Sequence, residues 1–449
     1  MLLRVTLAAL WLLPAVSGCG ARSGPSLPPA AETAARAVSP GGIVSPIQHV
    51  VIIFQENRTP DNLFQGVPGA DIAQYGVDSQ NQQIALVPQS MRTVWDLGHN
   101  RTSFIADYNG GKMNGWDSRL PWSRHQRPYS YVPKHEAQPY LDMATQYVFG
   151  DRMFETQEAG SFPAHQYLVS GSASALPDTA DEVDSNGYNS KSGKADGEVG
   201  CDATPASYVE TIDIHSGSAG PNEFPCFERV SLPDLLDAKQ LTWRYYQHNL
   251  GPGNWHAFDA VKEIRYGNDY QNVVTPSQTI LTDIASGNLT NVSWVIPPSN
   301  PFSDHPGNSS AKGPSWVAAV VNAIGHSQYW NSTAIFVTWD DWGGWYDHVK
   351  PPFYNHYQLG FRVPLLVVSP YAKRGYVSHK THEFASMLKF VEKTFALGTM
   401  GTTDLRADDI YDAFDFKQQA RTFSTIKAPP FVPSSDTVTG VPDEEDPDN

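Results

Sequence analysis

The chain has 449 residues, 40% of them hydrophobic and 12% aromatic, enough to bury the core of one large α/β domain or two ordinary ones. Its 47 acidic residues outweigh 31 basic ones, for a net charge of −16. Non-specific nucleic-acid binding needs basic surface to displace counterions, so nucleic acid is excluded as a partner, and a purely electrostatic hold on anionic membranes is disfavoured.

Residues 1–18 read as a signal peptide. Arg4 supplies the positive start, and residues 5–16 form an apolar run too short to span a bilayer as a helix. Val16-Ser17-Gly18-Cys19 resembles a bacterial lipobox, whose cysteine is lipidated and becomes the mature N-terminus; the alternative is an ordinary cleaved signal with an incidental cysteine. Either reading implies export to the bacterial cell envelope, as a lipoprotein anchored in the membrane through Cys19, or else as a periplasmic or secreted protein. Residues 19–46, rich in Ala, Pro, Ser and Gly, form an expected flexible tether. A catalytic domain is expected over 47–430, and the acidic tail 431–449 closes on PDEEDPDN. In an oxidising compartment the remaining pair, Cys201 and Cys226, predicts a disulfide contributing about 3 kcal/mol; the alternative is two unrelated buried thiols.

The domain opens on His49-Val50-Val51-Ile52-Ile53-Phe54, a near-continuous apolar run that predicts a strand buried on both faces, and Glu56-Asn57 follow at its end. Residues 66–89 are polar and strand-poor. A helix is expected over 140–148 and another over 163–172, with Ser161 or Phe162 at its start and Pro163 in its first turn. The stretch 176–228, rich in Gly, Ser, Asp and Asn, reads as an irregular insertion that lids the site. Further elements are expected at 232–239 (helix), 241–246 and 292–296 (strands), 315–324 (helix), 361–369 (strand) and 382–395 (helix). The run 334–337 is a further buried strand, ending abruptly at Asp340-Asp341 before Gly343-Gly344. Alternating buried strands and helices imply an α/β domain with a mostly parallel sheet.

Several strands thus end in polar groups: Glu56-Asn57, Asp304-His305 and Asp340-Asp341. Ligands bind at the carboxyl ends of strands in open α/β sheets. Adjacent carboxylates there repel unless a cation joins them; the plainer alternative is a solvated loop. Glu56, Asn57, Asp340 and Asp341 are oxygen donors suited to a divalent ion, Ca, Mg, Mn or Zn. Ser161, near a helix N-terminus, is placed to act as a nucleophile beside that ion, and backbone N–H groups there favour a bound phosphate. His99, His305 and His348 are candidates for binding phosphate oxygens or protonating a leaving group, each with an alternative as a structural hydrogen bonder.

These segments resemble the bacterial phosphoesterase family that contains phosphatidylcholine-type phospholipases C and respiratory-burst-inhibiting acid phosphatases. The resemblance is carried by HVVIIFQENRTPDNLFQG at 49–66, DLGHN at 96–100, NGGKMNGW at 109–116, GSFPAHQYLVSG at 160–171, SDHP at 303–306, TWDDWGGWYDHVKPP at 338–352, GFRVPLLVVSPYAK at 360–373 and SHKTHEFASMLKFVE at 378–392. It implies an alkaline-phosphatase-like three-layer sandwich. It also implies metal ligation by Glu56, Asn57, Asp340 and Asp341 with Ser161 as nucleophile, and His99, His305 and His348 around the substrate phosphate. Ala164-His165 stands where many phospholipases carry Asn-Arg, Asp341-Trp342 where they carry Glu-His, and Asn114 where many members carry Asp.

The expected activity is metal-dependent hydrolysis of a phosphate ester, a small monoester or a phospholipid, through a phosphoserine. The alternative from another class is a non-catalytic surface lipoprotein that keeps the fold for binding.

Overall fold

The computed structural model describes residues 45–433, except 177, 178, 193, 196 and 309. The expected signal peptide, Cys19, nearly all of the tether and most of the acidic tail lie outside the described residues.

Eight strands build the central sheet: β1 (His49–Gln55), β2 (Val148–Phe154), β3 (Trp243–Tyr246), β4 (Val273–Val274), β5 (Val292–Val295), β6 (Thr333–Trp339), β7 (Arg362–Val368) and β8 (Tyr376–Ser378). Their order is β4-β3-β5-β1-β6-β7-β2-β8. β7 pairs antiparallel with both its neighbours, and every other pairing is parallel. The mostly parallel α/β sheet is therefore as expected. β1 and β6 are buried along almost their whole length, because helices cover both faces and leave no polar side to present.

The layers can be read from side chains. Trp339 packs edge-on against Tyr140 of helix α1 (Lys134–Gln146), with ring centroids 5.0 Å apart. Phe336 lies three residues earlier and so on the opposite face; it meets Phe390 of helix α4 (Phe384–Phe395) at 5.0 Å. Helix α2 (Ser161–Ser170) packs beside α4, and α3 (Gly313–Gly325) beside α1. Two helical layers thus enclose one sheet.

One expectation is corrected. The helix expected at 140–148 ends at Gln146, and β2 follows at once. Its middle residues Gly150, Asp151 and Arg152 disguise a strand because they are polar or small. They are accommodated by local partners: Asp151 accepts from the Asp71 N–H at 2.8 Å, and Arg152 pairs with the Asp71 carboxylate. The stretch 66–89 holds a short hairpin, Tyr75–Val77 with Gln83–Ala85, and a two-residue strand, Val87–Pro88, that pairs with Ser130–Tyr131. Within the insertion, Asp181–Val183 pairs with Thr211–Asp213, and Cys201 is disulfide-bonded to Cys226 with Cα atoms 4.4 Å apart. Among the described residues no helix is long and apolar enough to cross a membrane.

Candidate active site

The site begins with strand register. Gln55 of β1 lies opposite Trp339 of β6, so Glu56 and Asp340 leave the sheet side by side at its carboxyl edge. Asn57 then turns into the left-handed region, at φ 54°. That turn aims its backbone N–H at Asp340 Oδ1 (3.2 Å) and its side-chain amide at Asp341 Oδ1 (2.7 Å). The Gly343 N–H donates to the same Asp341 oxygen at 2.7 Å. Gly343 has φ +63°, and a Cβ there would stand 2.6 Å from the Asn57 carbonyl oxygen, so only glycine lets the two loops close on each other.

Ser161 is the first residue of α2, with Gly160 at the N-cap. Its hydroxyl donates to Glu56 Oε2 at 3.2 Å and lies 3.5 Å from Asp341 Oδ2. The structure therefore brings together Glu56, Asn57, Ser161, Asp340 and Asp341, all five buried. The helix start differs from expectation in one respect. The Phe162 N–H donates to Asn186 Oδ1 of the insertion at 2.9 Å, so it is not available to an incoming phosphate.

Two residues join the cluster that sequence reasoning did not include. His165 stands one helical turn after Ser161, with Nε2 3.3 Å from Glu56 Oε1 and 3.9 Å from Asp340 Oδ2. Its i, i+4 spacing from Ser161 was the available signal. Glu155 follows the end of β2 and accepts from the Phe361 N–H at 2.7 Å.

The electrostatics of this cage favour a positive charge among its carboxylates. Burial pushes the Asp341 carboxyl well up, and the Asp340 charge adds to that. Burial raises Glu155 likewise, with the Asp341 charge next. His165 is pulled down to about 4 by burial, against the opposing attraction of Asp340. Asn57 Oδ1 and Asp340 Oδ2 are buried without a hydrogen-bond partner. Among the described residues no Lys or Arg forms an ion pair with Asp340 or Asp341. Orphaned oxygens, crowded carboxylates and a neutral imidazole together fit a divalent cation.

His99 and His305 sit together beside this cage. Their rings are 5.4 Å apart, and the His99 charge favours the Asp341 carboxylate. His99 Nδ1 is 2.7 Å from the Leu97 carbonyl, and Asp96 approaches His305 Nδ1 at 3.8 Å. His348 is placed elsewhere. Its Nδ1 is 2.7 Å from Asp61 Oδ2 and its Nε2 3.0 Å from Asp71 Oδ1. Both ring nitrogens thus serve a separate ion network in which Arg362 grips Asp347 through two hydrogen bonds, of 2.7 and 2.9 Å. The structure thus joins His348 to Asp61 and Asp71, and among the described residues no hydrogen bond joins it to Glu56, Asn57, Ser161, Asp340 or Asp341.

A cavity of about 230 Å³ is lined by Arg101, two residues beyond His99, and by Glu158, three before Ser161, together with Phe104, Tyr108, Phe353 and Leu359. Arg101 lies 3.8 Å from both Glu158 and Asp184.

Comparison with known proteins places these features in context. The model of the Phosphoesterase family matches residues 47–398. Non-hemolytic phospholipase C of Burkholderia pseudomallei (strain K96243) is 23% identical over 406 residues, covering 79% of this chain and 56% of that protein. Phospholipase C B of Mycobacterium tuberculosis (strain ATCC 25618 / H37Rv) is 23% identical over 455 residues, covering 84% of this chain and 79% of that protein. The chain thus spans little more than half the length of the Burkholderia relative. Among solved structures, a protein in the alkaline phosphatase superfamily from Vibrio parahaemolyticus matches 84% of this chain and 71% of its own, at 12% identity and a TM-score of 0.40.

Proposed function

Because the chain belongs to the Phosphoesterase family, we propose that it is an exported, metal-dependent phosphoric ester hydrolase, of phospholipase C or acid phosphatase type, working through a phosphoserine at Ser161. The observation that carries this reading is the Ser161 hydroxyl, at a helix start and 3.2 Å from Glu56, inside a buried set of oxygen donors.

Glu56, Asn57, Asp340 and Asp341, with Ser161 itself, are the residues that would hold the cation. When bound, a divalent cation there supplies positive charge that stabilises a serine alkoxide and the oxygens of a phosphate. The chain's own residues do the rest. Glu56 accepts the Ser161 hydrogen bond, which orients the hydroxyl and gives its proton a path off the oxygen. Ser161 Oγ attacks phosphorus in line, the P–O bond to the alcohol breaks, and a phosphoserine forms. His99 and His305, with rings 5.4 Å apart, would bind an equatorial oxygen and protonate the departing alkoxide. Water then attacks the phosphoserine, cleaves the Oγ–P bond and restores Ser161.

The cavity between Arg101 and Phe353 favours an ester whose alcohol carries apolar atoms. Its rim includes Ile105 and Phe353, 50% and 66% exposed. The names of the relatives point the same way, toward phospholipids. The disulfide supports an oxidising, exported setting. Anchoring through a lipidated Cys19 completes the proposal.

The reading is tested by quenching turnover of a phosphate ester in acid and searching the peptides by mass spectrometry. A phosphate, or a phosphorylated head group, on Ser161 supports it. Turnover with no adduct at Ser161, under conditions that trap an added phosphoserine standard, overturns the covalent step.

A further inference from the structure

Among the described residues, His165 is the imidazole grouped with Glu56 and Asp340. Its side chain is fully buried. Its position is set on three sides: by helix α2, one turn beyond Ser161; by the edge of Phe54, with ring centroids 5.5 Å apart; and by Tyr245. The Tyr245 hydroxyl donates to the Trp255 carbonyl at 2.5 Å, so toward His165 it offers an oxygen lone pair. In the tautomer that carries hydrogen on Nδ1, that nitrogen donates to this oxygen at 3.4 Å. In the neutral ring the Nε2 lone pair then faces Glu56 Oε1 at 3.3 Å and Asp340 Oδ2 at 3.9 Å. An ionised carboxylate is only an acceptor, so that lone pair meets oxygens and not a donor.

An imidazolium would direct one N–H toward Glu56 and leave Asp340 Oδ2, buried and without a hydrogen bond, unanswered. One cation among the three groups satisfies all of them. Donors sharing a small divalent ion at about 2.0–2.2 Å stand roughly 3.0–3.5 Å apart, which matches the Nε2–Oε1 separation.

Resting on the metal reading above, we propose that His165 Nε2 is a further direct ligand of the cation held by Glu56, Asn57, Asp340, Asp341 and Ser161. One nitrogen among oxygens shifts the site from hard Ca²⁺ and Mg²⁺ toward borderline ions such as Zn²⁺. The Tyr245 hydroxyl becomes the partner that fixes the ligating tautomer.

The test loads the full chain with Mn²⁺ and records pulsed electron paramagnetic resonance for ¹⁴N coupling, alongside calorimetric titration with Zn²⁺ and Ca²⁺. The expected result is a directly coordinated nitrogen in the wild type that disappears in His165→Gln. Zn²⁺ affinity should also fall at least about tenfold in that variant, with Ca²⁺ affinity changed less than about twofold. Manganese bound without nitrogen coupling in the wild type overturns the inference and leaves the metal site standing, and this spectrum needs no variant to fold. Coupling that persists in a folded His165→Gln overturns it too. A wild-type chain that binds neither Mn²⁺ nor Zn²⁺ overturns the metal reading on which it rests.

Discussion

Gln55 and Trp339 are register partners on adjacent parallel strands, and the Asp340 N–H donates to the Gln55 carbonyl at 3.0 Å. This pairing makes two separate sequence motifs into one site. The sheet, not the loops, sets the distance between Glu56 and Asp340, which is how a scaffold holds charged groups that would otherwise separate.

A cation that binds this cage and not the unfolded chain stabilises the fold by mass action. At a hundred times its dissociation constant the gain is about 2.7 kcal/mol. Thermal denaturation should therefore shift upward with added Zn²⁺ or Mn²⁺ and return with chelator. Asn57→Leu, which removes the orphaned Oδ1, should blunt that shift. An unfolding temperature indifferent to both metal and chelator contradicts the cage.

Gly343→Ala should cost about 1–3 kcal/mol, since it combines a left-handed backbone with a Cβ 2.6 Å from the Asn57 carbonyl. The neighbour cannot yield, because Asn57 is itself held to Asp340 and Asp341. Hydrolysis should fall further than stability, as Asn57 is displaced from the donors around it. Denaturant unfolding and initial rates on the same preparation check this; a variant as stable and active as wild type would show that the loops are loosely joined.

Much of this was legible beforehand. Strands that end in Glu56-Asn57 and Asp340-Asp341 announce themselves, because an apolar run stopping at paired polar groups is rare inside a core. Ser161 was legible from Pro163 in the first turn of its helix. His165 was not, since a single histidine in the apolar stretch from Phe162 to Val169 looks like a core residue. His348 misled for a different reason. It follows the site motif by only seven residues from Asp341, but the glycine-bearing turn carries the chain away to Asp61 and Asp71. The strand Val148–Phe154 was hidden because partners contributed by other segments, such as the Asp71 N–H, were needed to make its polar middle tolerable.

The network around His348 gives a pH signature. Burial works against the charged ring, but the hydrogen bond and charge of Asp61, with the Asp347 charge, outweigh it and raise the pKa from 6.5 to about 9. A raised folded-state pKa means that the charged ring stabilises the fold fully below about pH 6.5 and that this contribution is lost as pH rises through about 9. Unfolding temperature should decline across that window, and His348→Gln should flatten the decline. An identical slope in the variant would place the titrating group elsewhere.

The most direct test of the account is hydrolysis of p-nitrophenyl phosphate and p-nitrophenyl phosphorylcholine, side by side, by wild type and Ser161→Ala, with and without chelator. The account predicts release of p-nitrophenol from at least one ester. That turnover should fall by at least about a thousandfold in Ser161→Ala, as for loss of a nucleophile, and collapse with chelator. The preferred ester separates the acid-phosphatase type from the phospholipase C type. Turnover by a folded Ser161→Ala at the wild-type rate would contradict the central claim that this hydroxyl is the nucleophile.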